Sequence, residues 1–160
     1  MEDLLKQAGE TALTAARQKG IEAEACLLYN RELSVDVHAG QVETLKEAEE
    51  IGIGIRIFNH GRLGFAYSSD LSKRAVEEAV RDAINISCYT PPDPFNLLPE
   101  PFTAYSDLPI YDVSIAAAPL DSKIEMARAT ERAARAYDPR IKLVERAGYE
   151  DTEYLSLIMN

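Results

Sequence analysis

The sequence predicts an α+β fold, an antiparallel or mixed sheet of hairpins packed against two or three helices and crossed by a proline-rich strap. Three observations predict it. Apolar residues alternate with period two through residues 51–67, they recur at helical spacing in three other segments, and seven of the eight prolines lie between Tyr89 and Pro119. A chain of 160 residues fits a single domain, and one of that size buries about 70% of its unfolded surface, enough for a core without disulfides.

The first helix is expected over residues 3–19, where Leu4, Leu5, Ala8, Ala12 and Ala15 share a face and Gly20 suits the position just past a helix end. Residues 23–29 and 33–38 read as two strands, Ala39-Gly40 as a turn, and residues 42–46 as resumed pairing. A hairpin follows. In its first strand Ile51, Ile53, Ile55 and Ile57 oppose Gly52, Gly54, Arg56 and Phe58; in its second, Leu63, Phe65 and Tyr67 oppose Gly64, Ala66 and Ser68. A three-residue loop of Asn59, His60 and Gly61 would pair Phe58 with Arg62 and Ile55 with Phe65. That register gathers Gly52, Gly54, Arg56, Gly64 and Ala66 on one shallow face, a contact surface for a partner or peptide backbone. Arg56 is its one charge, and two readings stand: a guanidinium that holds a carboxylate, a peptide terminus or a partner's acid, or a solvent-facing arginine balanced by a neighbouring glutamate.

A second helix is expected from Asp70 as N-cap, with Leu71, Ala75, Val76, Ala79, Val80, Ala83 and Ile84 on its apolar face. Residues 89–119 interleave their prolines with Tyr89, Phe95, Phe102, Tyr105 and Tyr111, which predicts an ordered connection that lies extended and docks its rings. Ser122 and Glu125 stand in capping-box spacing before a third helix bearing Ile124, Met126, Ala127, Thr130, Ala133, Ala134 and Tyr137, and Asp138-Pro139 stops it. Residues 141–147 and 154–159 read as a last hairpin around Gly148. That strand pattern runs up to Asn160, as expected of the front of a longer protein.

Composition narrows the function. A formal net charge of −10 opposes a polyanion, so direct nucleic-acid binding is not expected. Early acidic residues replace the basic region of a signal peptide, and no apolar run approaches the roughly 18 residues of a membrane span. Cys26 and Cys88 read as buried, inert thiols of a reducing compartment, and a cytoplasmic location is expected. His38 and His60 stand outside any HExxH spacing, and His38 with Asp36 and Glu43 reads as a solvent-facing group and not a metal site. Nucleophile-elbow, P-loop and dinucleotide motifs do not occur, and no catalytic or metal-ligating residue is assigned.

Three blocks in order, GIGIRIFNHGRLGFAYSSDLS, YTPPDP and DPRIKLVERAGYEDTEYLSLIMN, span most of the chain. Together they resemble the N-terminal region of the TldD/PmbA family, also called peptidase family U62 or modulators of DNA gyrase. The YTPPDP block and the entry Asp138, Arg140, Ile141 resemble the PmbA (TldE) side more closely. The resemblance implies residues 1–160 as a single N-terminal domain of a protein of several hundred residues that forms dimers. TldD subunits of this family carry a His-Glu-x-x-x-His zinc site and PmbA-like subunits lack it. No cofactor is therefore expected in this chain, with zinc in the parent protein or its partner subunit. The implied partners are a TldD-like subunit or a second copy, and a peptide substrate, with no nucleic acid and no membrane. The implied role is a structural or substrate-guiding, non-catalytic part of a metalloprotease complex that cleaves peptides or unfolded segments. The alternatives are an active zinc peptidase with its site beyond residue 160, and a peptide-binding module without a protease role.

Overall fold

A computed structural model describes residues 1–100, 106 and 108–160. In chain order it has α1 (Glu2–Arg17), β1 (Glu22–His38), β2 (Gln41–Asn59), β3 (Arg62–Ser68), α2 (Lys73–Ser87), α3 (Val113–Ala117), α4 (Leu120–Tyr137) and β4 (Ala147–Met159). The strands form one four-stranded antiparallel sheet in the order β3-β2-β1-β4, and the α+β class holds. The segments expected as separate strands on either side of Asn30 are one 17-residue strand. Those on either side of Glu49 are likewise one 19-residue strand. No glycine or proline interrupts residues 21–38, and polar residues such as Arg31 and Glu32 are tolerated where a strand has a wet face. The expected hairpin around Gly148 is absent: β4 runs straight through that residue, and the turn and coil before it span residues 138–146.

Contacts divide the chain into two units, the first built from Met1–Asn30, Glu50–Tyr105 and Tyr154–Asn160. Its core joins Leu5, Ala8, Ala12, Leu13 and Ala16 of α1 and Val76, Ala79, Val80 and Ala83 of α2 to the sheet residues Leu27, Tyr29, Ile53, Ile55 and Ile57. Each fully buried isoleucine contributes about 1.5–3 kcal/mol by leaving water. Small residues set the helix-to-sheet distance. A β-carbon on Gly64 would lie 1.8 Å from the Ala83 carbonyl oxygen, so α2 rests directly on the β3 backbone. Gly9 of α1 leaves room for a side chain instead, since a β-carbon there would meet the Met159 sulfur at 2.3 Å. The cap of α2 is Ser72, whose Oγ accepts the Ala75 N–H at 3.4 Å, and not Asp70. Asp70 instead accepts the Ser72 N–H at 2.8 Å, closing the turn before the helix.

The β2–β3 register corrects the expected one. Asn59 pairs with Arg62, Phe58 with Leu63, Arg56 with Phe65, Ile55 with Ala66 and Gly54 with Tyr67. The loop is therefore two residues, His60 and Gly61, at φ +52° and +73°. A turn with both central residues left-handed matches the twist of its strands, whereas the three-residue loop would not have placed Gly64 beneath α2. Gly61 accepts hydrogen bonds on its carbonyl from Asp93 N–H (2.8 Å) and Asn96 Nδ2 (2.9 Å), and a β-carbon there would meet the Asp93 oxygen at 2.8 Å. Thr90 Oγ1 donates to the Leu63 carbonyl at 3.0 Å. The start of the proline-rich segment is thus clamped through its backbone. Its rings are not docked as expected: Tyr89, Phe95 and Tyr111 are exposed, since backbone and amide groups make the clamp. Phe102 and Tyr105 lie outside the described residues.

The second unit comprises Arg31–Glu49 and Ser106–Glu153. Its apolar cluster is small, Leu33, Val35 and Val37 of β1 with Ala127 of α4, flanked by Val42, Ile124 and Tyr149. The buried stripe of α4 is Lys123, Ala127 and Glu131, while Met126 and Tyr137, expected on the apolar face, are exposed. The helix begins at Leu120 after Pro119, so Ser122 lies inside it and donates to the Pro119 carbonyl at 2.6 Å, and the expected capping box does not form. Glu125 pairs with Arg132 at 2.6 Å instead. Asp138 ends the helix ahead of Pro139 as expected.

Candidate functional site

In β2 the isoleucines 53, 55 and 57 face the helices, so Gly52, Gly54 and Arg56 face the other way. Directly opposed residues of an antiparallel pair share a face, which puts Phe65 and Tyr67 on the outer side with Arg56 and Gly54. The five residues expected to form one contact surface are therefore split. Gly52, Gly54 and Arg56 lie on the outer face, while Gly64 is buried under α2 and Ala66 packs against the core. The small residues of β3 serve helix packing, and its bulky ones serve the outer face.

This rearrangement creates a feature the expected register would not have given. Cys26 and Leu28 of β1, Gly52 and Gly54 of β2, Phe65 and Tyr67 of β3, and Ser68 and Ser69 line an apolar trough of about 360 Å³. The Phe65 ring lies over the bare backbone of Gly54, 3.2 Å from where a β-carbon would stand, and so forms a wall. Phe65 is 54% and Tyr67 79% exposed, large fractions for aromatic side chains, so the described residues leave this part of the sheet uncovered. Cys26 and Cys88 are both exposed, correcting the expectation of buried thiols; an outward strand position and a helix end carry them.

Arg56 follows the balanced-arginine reading. Its Nε donates to Glu24 Oε1 at 3.1 Å, a terminal nitrogen donates to the same oxygen, and the guanidinium lies 5.6 Å from the Phe58 ring centroid. It is held by this chain's own groups at the far end of the trough.

Several ionisable groups of the second unit are committed to structure. Lys123, 3% exposed, donates to Asp151 Oδ2 at 2.6 Å, Tyr149 O–H donates to the same oxygen at 2.8 Å, and Lys123 sits 5.8 Å from the Tyr149 ring centroid. Burial alone would raise the Asp151 carboxyl, but the bonds from Lys123 and Tyr149 outweigh it and hold it below the usual range. Burial, then Asp151, push the Tyr149 hydroxyl up. Glu131 accepts the N–H groups of Gly40 (2.7 Å) and Ala39 (2.8 Å) and a bond from Arg135, and these bonds, the Gly40 one foremost, lower its pKa against the opposing effect of burial.

His38 bonds through Nδ1 to the Glu145 carbonyl at 2.9 Å, and Asp36 accepts from Arg146 at 2.6 Å. Among the described residues no group of three or more His, Cys, Asp or Glu side chains could hold a metal ion, so the residues present do not fit a zinc site. Among them, too, no helix is long and apolar enough to cross a membrane.

Comparison with known proteins decides the family. Residues 23–87 match the model of the PmbA/TldA metallopeptidase domain 1, and residues 114–160 match that of the PmbA/TldA metallopeptidase central domain. This chain belongs to the PmbA/TldD family. It is 33% identical over 143 residues to the metalloprotease PmbA of Escherichia coli O157:H7, covering 89% of this chain and 32% of that protein. It is 31% identical over 141 residues to the metalloprotease PmbA homolog of Haemophilus influenzae, covering 88% and 31%. The chain spans about a third of the length of these curated relatives.

Among solved structures, a proposed modulator of DNA gyrase from Bacteroides thetaiotaomicron is 27% identical with a TM-score of 0.80, over 96% of this chain and 36% of that one. TldE from Thermococcus kodakarensis shares the fold at a TM-score of 0.67 and 21% identity, over 99% and 36%. Within PmbA/TldD proteins, then, this fold is one portion of a larger chain.

Proposed function

We propose that this chain is the N-terminal portion of a PmbA-like subunit of a TldD/PmbA-type metalloprotease complex, cytoplasmic, and that it guides substrate without cutting it. The observation that carries the reading is the composition of the trough: glycine backbone, aromatic walls, two serines and one thiol, with Arg56 neutralised at its margin. Such a surface can hold an apolar segment of an unfolded polypeptide by contact and desolvation. Among the described residues, its lining includes no Asp, Glu, His, Lys or Arg. The partners in this reading are a TldD-like subunit, which brings the zinc, and the peptide.

The test uses the full-length protein, alone and mixed with a TldD-like subunit. Zinc content and cleavage of an unfolded polypeptide are measured for both. Cleavage by the mixture and none by the lone protein is expected. Stoichiometric zinc with cleavage by the lone protein would establish the alternative, a peptidase whose His-Glu-x-x-x-His site lies beyond residue 160.

A further inference from the structure

We propose that the exposed apolar face of residues 108–120, in the second unit, is covered in the parent protein by the part of its own chain that follows residue 160. That contact is independent of the substrate-guiding role.

The face consists of side chains that the described residues leave in water. Leu108, Ile110, Val113, Ile115 and Leu120 are all exposed, Ile110 at 87% and Val113 at 67%. No residue from 108 to 120 is buried. Single exposed apolar side chains are ordinary on a protein surface, but five within one short segment mark a contact.

The polar groups of the same segment are tied down. Tyr111 O–H donates to Glu153 Oε1 at 2.7 Å, and Asp112 Oδ1 accepts the Ser114 N–H at 2.9 Å, capping α3. Fixing a backbone costs about 1–2 kcal/mol per residue, which burial of side chains must offset. The five residues of α3 include no buried one, and a single helical turn has no stability of its own in water. Two polar anchors position the segment, and a covering surface completes it.

The occupant follows from what the two matched domains contain. Residues 23–87, matching domain 1, bury Ile53, Ile55, Ile57, Val76 and Val80. Residues 114–160, matching the central domain, bury two apolar residues, Ala127 and Ala147. Two alanines do not make the core of a domain, and the Leu33, Val35 and Val37 that meet Ala127 belong to β1, inside the domain 1 match. The central domain therefore has apolar side chains in place here and lacks the elements that would bury them. Because this chain spans about a third of its curated relatives, a continuation of the same domain is the partner the surface fits. Leu108, Ile110, Val113, Ile115 and Leu120 carry no charge, so the covering element presents an apolar face of its own.

The experiment uses the full-length protein carrying Val113→p-benzoylphenylalanine or, separately, Ile110→p-benzoylphenylalanine, alone and mixed with a TldD-like subunit. Illumination is expected to join either position to a peptide beyond residue 160 at the mass of one chain, and mixing should leave that product unchanged. Hydroxyl-radical footprinting of the unsubstituted full-length protein provides a readout that no substitution can disturb. There Ile110 and Val113 should lose most of the oxidation they show when the same protein is unfolded in urea.

Undiminished oxidation at Ile110 and Val113 would overturn the proposal by leaving the face in water. A crosslink confined to residues 1–160, or none from either position, would overturn it too. A product at twice the mass of one chain would give the face to a second copy, and a heavier product formed only in the mixture would give it to the other subunit.

Discussion

The two units of this chain bury comparable strands by opposite means. In the first, two alanine-rich helices lie close on Ile53, Ile55 and Ile57, and Gly64 lets the backbone of one of them rest on the strand beneath it. In the second, one helix covers Leu33, Val35 and Val37 with the buried Ala127 and the half-buried Ile124 and completes the contact with Lys123 and Glu131, both almost fully buried. Dispersion and water exclusion hold the first, while specific hydrogen-bonded charges hold the second. The difference teaches that side-chain volume organises one half of the chain and pairwise polar geometry the other.

The largest expected effect lies in the first unit. Gly64→Ala forces its methyl group into the Ala83 carbonyl and should destabilise by about 3 kcal/mol or more, measured as a lower denaturation midpoint. An unchanged midpoint would show that α2 does not rest on β3 as described. The counterpart in the second unit is Lys123→Met, which strands Asp151 and Tyr149 without their cation and should cost about 2 kcal/mol. Adding Asp151→Leu should recover at least half of that; a double variant as weak as the sum of both singles would deny the pairing.

Acid sharpens the contrast. The carboxyls of Glu131 and Asp151 titrate below their usual range in the folded chain. Their contribution is complete above the unfolded carboxylate range, near pH 4, and is lost as pH falls through the folded values. Hydrogen exchange between pH 7 and pH 3 should therefore lose protection at Val35 and Val37 before Ile55 and Ile57, and Glu131→Gln should flatten that dependence. Simultaneous loss in both units would erase the distinction. The smallest effect belongs to the outer face: Tyr67→Ala should change stability by no more than about 0.5 kcal/mol, since its side chain is largely in water.

What could be read from the residues follows the same division. Period-two isoleucines and the Val76, Ala79, Val80, Ala83 stripe announce the first core, because hydrophobic burial is periodic along one element and needs no knowledge of its neighbour. The buried face of α4 was hidden, because Lys123 and Glu131 are buried only by virtue of partners 28 and about 91 residues away. Pattern alone would place them in solvent. The hairpin register failed for a related reason: the sequence of β3 offers one bulky and one small side, and which faces inward depends on α2 needing Gly64 beneath Ala83. The paired carboxylate of Arg56 was legible in kind, and the trough was not, since it exists only in the register actually adopted.

Both hairpin turns place a residue other than glycine in the left-handed region, Ala39 at φ +51° and His60 at +52°. Each such residue costs about 1 kcal/mol, and each turn is gripped from outside, one by the carboxylate of Glu131 and the other by Asp93 and Asn96. A ribosome releasing this chain would expose both turns before α4 exists, and residues 93–96 would follow well ahead of Glu131. The tip at Ala39-Gly40 is therefore expected to stay unset until Glu131 has emerged, whereas the tip at His60-Gly61 can lock once residues 93–96 have followed it.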